Sequence, residues 1–123
     1  AAPPSSASSF VTAVLTVDDF PAVAAKVSQK QLRHIFGRLE HAARGGGYLN
    51  NMEDAQAVLT AFRSGRAAIL GRTSQGFPVV RFNGVTGTNV NLRAGFSNQP
   101  TNVFMIKGTA SPSVVPMNPN WVP

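Results

Sequence analysis

Residues 30–49, KQLRHIFGRLEHAARGGGYL, hold both histidines of the chain, three arginines and three consecutive glycines. Histidine takes up and releases protons near neutral pH, and arginine pairs well with phosphate oxygens. His34, Arg38 and His41 are spaced i, i+4 and i+7, which places them on one face of a continuous helix. This face predicts either acid–base chemistry on a phosphate or a solvated stripe that happens to carry histidine.

Two histidines beside an arginine are suited to cleaving RNA without a metal ion. A neutral imidazole removes the 2′-OH proton, a cation stabilises the charge on the phosphorus oxygens, and an acid protonates the leaving 5′ oxygen. Because the RNA supplies its own nucleophile, the protein needs neither a serine nucleophile nor a cofactor. The residues therefore favour a nuclease chemistry that uses no metal and no cofactor.

Metal ligation is the alternative use of a histidine pair. His34 and His41 are two helical turns apart, about 10 Å along the axis, which is too far to hold one ion in an unbroken helix. Zinc also requires a third protein ligand, and the nearby Glu40 is poorly directed for that purpose. The chain has no cysteine. We therefore expect no metal site, no disulfide and no thiol nucleophile.

Net charge points to a polyanionic partner. Eleven Lys and Arg residues stand against five Asp and Glu residues, which gives a net charge of +6 at pH 7. Nucleic acid is the commonest partner of such a chain, and a basic surface that serves only solubility is the alternative. No apolar stretch is long enough to cross a bilayer, so we expect no membrane span.

Two helices are predicted to precede the strands. The first begins at its N-cap Ser28, tolerates Gly37 and ends at the three glycines. The second is capped by Asn50 or Asn51 and ends at Gly65. The first helix has the apolar stripe Leu32, Ile35, Phe36 and Leu39, and the second has the buried face Met52, Ala55, Val58, Leu59 and Phe62.

From Ala67 onward, short apolar runs alternate with Gly, Asn and Pro, as is typical of antiparallel strands. The runs are AAIL, FPVVRF, NVNL and NVFMIK, and the proline-rich tail SPSVVPMNPNWVP is predicted to be an extended edge. Helices followed by such strands indicate an α+β fold. Residues 1–9, AAPPSSASS, are expected to be a flexible lead-in to a single domain.

The predicted strands supply further polar candidates. In TNVFMIKGTASP, Lys107 ends an apolar strand and is either a snorkelling edge residue or a phosphate-stabilising cation. Thr109 follows it and could donate a hydrogen bond to phosphate or cap the turn. Arg81 and Arg93 have the same two interpretations as Lys107: edge residue or phosphate-stabilising cation.

Over roughly residues 28–119, the chain resembles a group of bacterial ribonuclease toxins. The segment LRHIFGRLEH, a second helix, and a sheet ending in VFMIKGTASPSVVPMNP are similar to C-terminal toxin domains of polymorphic and contact-dependent inhibition systems. The group unites barnase-like, EndoU-like, colicin-type and RelE-like folds. It implies N-terminal helices packed on a twisted antiparallel sheet of four to five strands, with the active site on the concave face of the sheet.

The resemblance also implies roles for individual residues of a single RNase-like toxin domain at residues 10–123. The implied catalytic residues are His34, Arg38, Lys107 and Thr109, with His41 as a second acid–base group. Expected substrate-binding residues are Arg33, Arg44, Arg81, Arg93 and Tyr48. Base stacking would fall to Tyr48, Trp121 or phenylalanines such as Phe82 and Phe96.

The implied function is that of an endoribonuclease acting on tRNA or another structured RNA. Such toxins are secreted or delivered from the cell surface within a larger effector, act in the target-cell cytoplasm, and pair with an acidic immunity protein. The alternative is a non-catalytic basic module of a surface or phage structural protein. A toxin with nucleotidyl or ADP-ribosyl transfer chemistry is a third possibility, although no motif for it is present.

Overall fold

The structure, a computed structural model, describes residues 14–123. The expected lead-in, residues 1–9, lies outside this part of the chain. The helical elements are 3₁₀ helices at Val17–Asp19, Gln29–His34 and Leu92–Ala94, α1 at Leu39–Arg44 and α2 at Met52–Arg63. The strands are β1 (Ala68–Arg72), β2 (Pro78–Arg81), β3 (Gly87–Asn91), β4 (Phe96–Thr101), β5 (Val103–Lys107) and β6 (Ser113–Pro116). In residues 14–123, no helix has the length and apolar character needed to cross a membrane.

The strands form two antiparallel sheets, which confirms the α+β fold class. The larger sheet has the order β1-β2-β5-β6, and β3 pairs with β4 in a separate two-stranded sheet. The proline-rich tail contributes β6 at the edge of the larger sheet, as the sequence predicts. Strand β4 was not among the predicted runs, because FSNQPT carries almost no apolar alternation.

Helix α2 confirms its prediction at both ends and for its buried face except Met52, which is only partly buried. The Asn51 side chain accepts a hydrogen bond from the Asp54 N–H at 2.8 Å, and Gly65 follows the helix with a φ of 77°. Its buried residues pack into the main core together with Phe104 and Ile106. These buried residues are Ala55, Val58, Leu59, Ala61 and Phe62.

The prediction of one continuous first helix is wrong. The 3₁₀ helix ends at His34, Ile35 adopts extended backbone, and Gly37 turns the chain with a φ of 86° before α1 begins. The Phe36 N–H donates to the carbonyl of Leu49 at 2.8 Å, and the Leu49 N–H donates to the carbonyl of His34 at 2.7 Å. Pairing with the segment after the glycines therefore replaces the hydrogen bonds of a helix.

The break overturns the predicted faces of this segment. Phe36 and Leu39, expected in the core, are 62% and 85% exposed, whereas His34, expected to point away from the core, is 4% exposed. The predicted cap at Ser28 is confirmed, since its hydroxyl accepts a hydrogen bond from the Lys30 N–H at 3.2 Å. His34, Arg38 and His41 consequently do not share one helix face.

Candidate active site

A cleft of about 270 Å³ lies at the end of the larger sheet where β2 begins and β5 ends. Nine residues contribute to its walls: Lys30, Arg33, His34, Arg44, Phe77, Lys107, Gly108, Ser111 and Ser113. They come from the 3₁₀ helix Gln29–His34, the end of α1, and the strand ends. The cleft is therefore assembled from segments that are distant in sequence.

Strand register places the sheet residues of the cleft. Lys107 pairs with Ser113 across β5 and β6, and Val79 pairs with Met105 across β2 and β5. Extending the second register by two residues sets Phe77 beside Lys107. An aromatic ring, a lysine and a serine hydroxyl thus meet at one end of the sheet.

The 3₁₀ helix Gln29–His34 places three further polar residues of the cleft, Lys30, Arg33 and His34. With three residues per turn, side chains at i and i+3 eclipse each other, so Lys30 and Arg33 share one face and Gln31 and His34 another. Lys30 and Arg33 line the cleft, while Gln31 and His34 are buried. Gln31 Nε2 donates to the carbonyl of Val114 in β6 at 2.8 Å, which fixes the helix on the edge of the sheet.

His34 is the buried titratable group of this site. Within residues 14–123, its buried Nδ1 has no hydrogen-bond partner, and the side chain lines the cleft. A buried polar atom without a partner costs stability. Packing alone therefore does not account for a histidine at this position.

The surroundings of His34 keep its imidazole neutral. Burial, followed by the charge of Arg44, lowers the pKa of His34 from 6.5 to about 4. The nearby Gly47 backbone opposes this lowering of the pKa, and the charges of Lys107 and His41 add to it. At neutral pH the ring is therefore unprotonated and able to accept a proton.

The cleft is strongly cationic. Lys30, Arg33, Arg44 and Lys107 contribute four positive charges to its walls, and its lining includes no carboxylate. Converging cations without counter-charges attract a phosphate group. The arrangement therefore combines a proton acceptor with an anion-binding surface.

Of the residues predicted to act in function, Arg33, His34, Arg44 and Lys107 meet in this cleft. Arg38 instead lies beside Glu40, with 3.7 Å between Nε and Oε1. His41 Nε2 lies 2.9 Å from the carbonyl oxygen of Gly46, and its ring contacts Tyr48. The predicted residues Arg38, His41 and Tyr48 therefore do not line the cleft.

The other predicted residues lie on different parts of the surface. Thr109 lines a separate cavity near Phe20, Arg81 donates to the carbonyl of Pro119 at 3.1 Å, and Arg93 lies in the 3₁₀ helix Leu92–Ala94. Of the suggested stacking residues, Tyr48 contacts Phe36. The resemblance implies an active site on the concave face of the sheet. The candidate site lies instead at the end of the sheet.

Sequence reasoning missed Lys30, Phe77 and the serines of the cleft, Ser111 and Ser113. Lys30 precedes Arg33 by three residues, a spacing that puts both side chains on one face of an α-helix or a 3₁₀ helix and could have identified Lys30. Phe77 precedes the run PVVR and was assigned to strand. Only the strand register brings it to Lys107.

Among residues 14–123, no group of three or more His, Asp and Glu side chains is arranged to hold a metal ion. No protein-family model matches the sequence, and no curated protein shows significant similarity to it.

Proposed function

We propose that this chain is the toxin domain of a metal-independent endoribonuclease that cleaves tRNA or another structured RNA. The observation that carries the proposal is the position of His34, a neutral imidazole in the wall of a cleft with four cations. RNA offers both a phosphate for the cations and a 2′-OH for the imidazole. DNA lacks that hydroxyl and would bind without being cut.

The proposed reaction is an internal transesterification. The His34 imidazole accepts the proton of the 2′-OH, the 2′ oxygen bonds to phosphorus, and the bond from phosphorus to the 5′ oxygen breaks. Lys107 gives a proton to the departing 5′ oxygen, while Arg33 and Arg44 stabilise the negative charge on the phosphorus oxygens. The products are a 2′,3′-cyclic phosphate end and a 5′-hydroxyl end.

The proposed partners follow from charge and from the resemblance to ribonuclease toxins. A chain of net charge +6 binds RNA through its phosphates, and an acidic immunity protein would associate rapidly with the same surface. Delivery within a larger effector and action in a target-cell cytoplasm belong to this proposal.

Incubation of the pure protein with total bacterial RNA in EDTA tests the proposed chemistry. We expect discrete fragments with 2′,3′-cyclic phosphate ends, and a loss of cleavage of about 10²- to 10⁴-fold in His34→Gln. His41→Phe is the matched control, because it alters the other histidine, which lies outside the cleft, and keeps an aromatic ring beside Tyr48. Thermal melting and retained RNA binding show whether His34→Gln still folds, since His34 is buried.

A non-catalytic RNA-binding module is the second candidate. It is favoured by the same pKa of about 4, because a base that far below neutral pH accepts a proton weakly. Under this alternative, the four cations bind phosphate and the wild-type protein leaves the RNA intact. His34→Gln does not change the position of the bound strand.

A further inference from the structure

Beside the cleft, three aromatic rings form a cluster that consists of Phe36, His41 and Tyr48. The ring centroids of Phe36 and Tyr48 are 5.2 Å apart and tilted by 38°. Those of His41 and Tyr48 are 5.1 Å apart in an edge-to-face arrangement. Phe36 is nevertheless 62% exposed, so much of its ring is open to solvent.

Backbone hydrogen bonds fix the segments that carry Phe36 and Tyr48. Tyr48 and Thr88 exchange two such bonds, of 2.9 and 2.8 Å, and Phe36 is bonded to Leu49. At Gly47, an added Cβ would lie 2.9 Å from the carbonyl oxygen of Thr88, so this close approach requires glycine. A backbone that is already fixed lowers the entropic cost of binding a flat ligand to the rings that it carries.

Two short chain segments connect the aromatic cluster to the cleft. Phe36 is separated from His34 by the single extended residue Ile35, which sets their Cα atoms about 6.6 Å apart. Tyr48 follows Gly47, whose backbone interacts with the His34 imidazole. The backbone of the exposed residue is therefore two residues from the proposed reacting group.

The charges near the exposed ring suit a nucleic-acid strand. Arg38 follows Phe36 by two residues, and its Nε lies 3.7 Å from Oε1 of Glu40 in an exposed ion pair. Arg44 contributes a second charge, in the wall of the cleft. An aromatic surface next to cations is the usual apparatus for binding unpaired bases.

We propose that the aromatic cluster is a base-binding subsite, in which an unpaired base stacks on Phe36 while the neighbouring phosphate occupies the cleft. The inference rests on the proposed function and narrows its substrate to single-stranded segments, such as loops, because a paired base is already stacked. The Tyr48 ring contacts both Phe36 and His41, and the glycines between Arg44 and Tyr48 connect the two parts of the site.

A short 2′-O-methyl RNA oligonucleotide tests the subsite without depending on cleavage, since it lacks the free 2′-OH. We place 2-aminopurine at successive positions and follow its fluorescence, which falls on stacking. One position is expected to be quenched by the wild-type protein. Phe36→Ala and Phe36→Leu should abolish that quenching and weaken binding at least about fivefold.

The control is Leu39→Ala, which removes an apolar side chain that is 85% exposed but has no aromatic face. It should change neither the quenching nor the affinity. If the oligonucleotide binds but no position is quenched, or if Phe36→Leu quenches like the wild type, the subsite is refuted while RNA binding stands. If the oligonucleotide does not bind at low salt, both the subsite and the proposed function are refuted.

Discussion

The side chain of Gln31 pairs with the backbone of Val114 at both of its polar ends. Nε2 donates to the carbonyl at 2.8 Å, and Oε1 accepts from the N–H. A buried glutamine thus occupies the place of a neighbouring strand at the edge of the sheet. Because His34 eclipses Gln31 in the 3₁₀ helix, this pair also sets the position of the imidazole.

Gln31→Leu should destabilise the fold by roughly 2 to 4 kcal/mol, because it leaves the Val114 N–H and carbonyl unpaired in the interior. Gln56→Leu is the matched control: Gln56 also bonds two backbone groups, at Val27 and Ala25, but at a more exposed site. Urea unfolding of both variants measures the difference. Equal losses of stability would contradict the anchoring role of Gln31.

RNA affinity should depend steeply on salt, with a log–log slope of about −0.7 for each phosphate contact to a single strand. Lys107→Gln and Arg33→Gln should each make the slope shallower by about that amount. Arg66→Gln changes an arginine outside the cleft, one that donates to Ser64 at 3.0 Å, and should leave the slope unchanged. Filter binding across a salt series provides the measurement. A slope that responds equally to all three variants would place the RNA elsewhere.

The pH dependence of kcat/KM should locate the base. If His34 accepts the proton, the rate rises with pH through about 4, where His34 titrates, and is flat around pH 6.5. His41→Phe should keep that acidic limb and retain most of the activity, since His41 lies outside the cleft. A limb that disappears in His41→Phe would instead assign the base to His41.

Stability should fall in acid because of His34. Its pKa is lowered to about 4 in the folded protein from 6.5, so the unfolded chain binds the proton more readily. Stability is therefore fully present above pH 6.5 and is lost as pH falls toward 4, by roughly 2 to 3 kcal/mol. His34→Gln should lose less stability between pH 7 and 4 than the wild type in parallel urea titrations. An identical loss would assign the acid sensitivity to other groups.

Local chemistry in the sequence determined much of the fold. The charge excess, α2 with its asparagine cap, four of the strands and the edge position of the tail all follow from composition, capping and alternation. His34 and Lys107 were candidates from residue type and position, and Arg33 and Arg44 were among the expected substrate-binding residues. Each of these features depends on residues close together in the chain.

Tertiary structure alone decided how the histidine segment folds. The apolar spacing of Leu32, Ile35, Phe36 and Leu39 fits an α-helix, but pairing of Ile35 with Leu49 and the bonds of Gln31 to β6 hold a short 3₁₀ helix followed by extended chain. That change of period buries His34, exposes Phe36, and separates His34 from Arg38 and His41. Contacts across more than eighty residues (Gln31 to Val114, 83 apart) leave no local signal, because they depend on strand register rather than on neighbouring side chains.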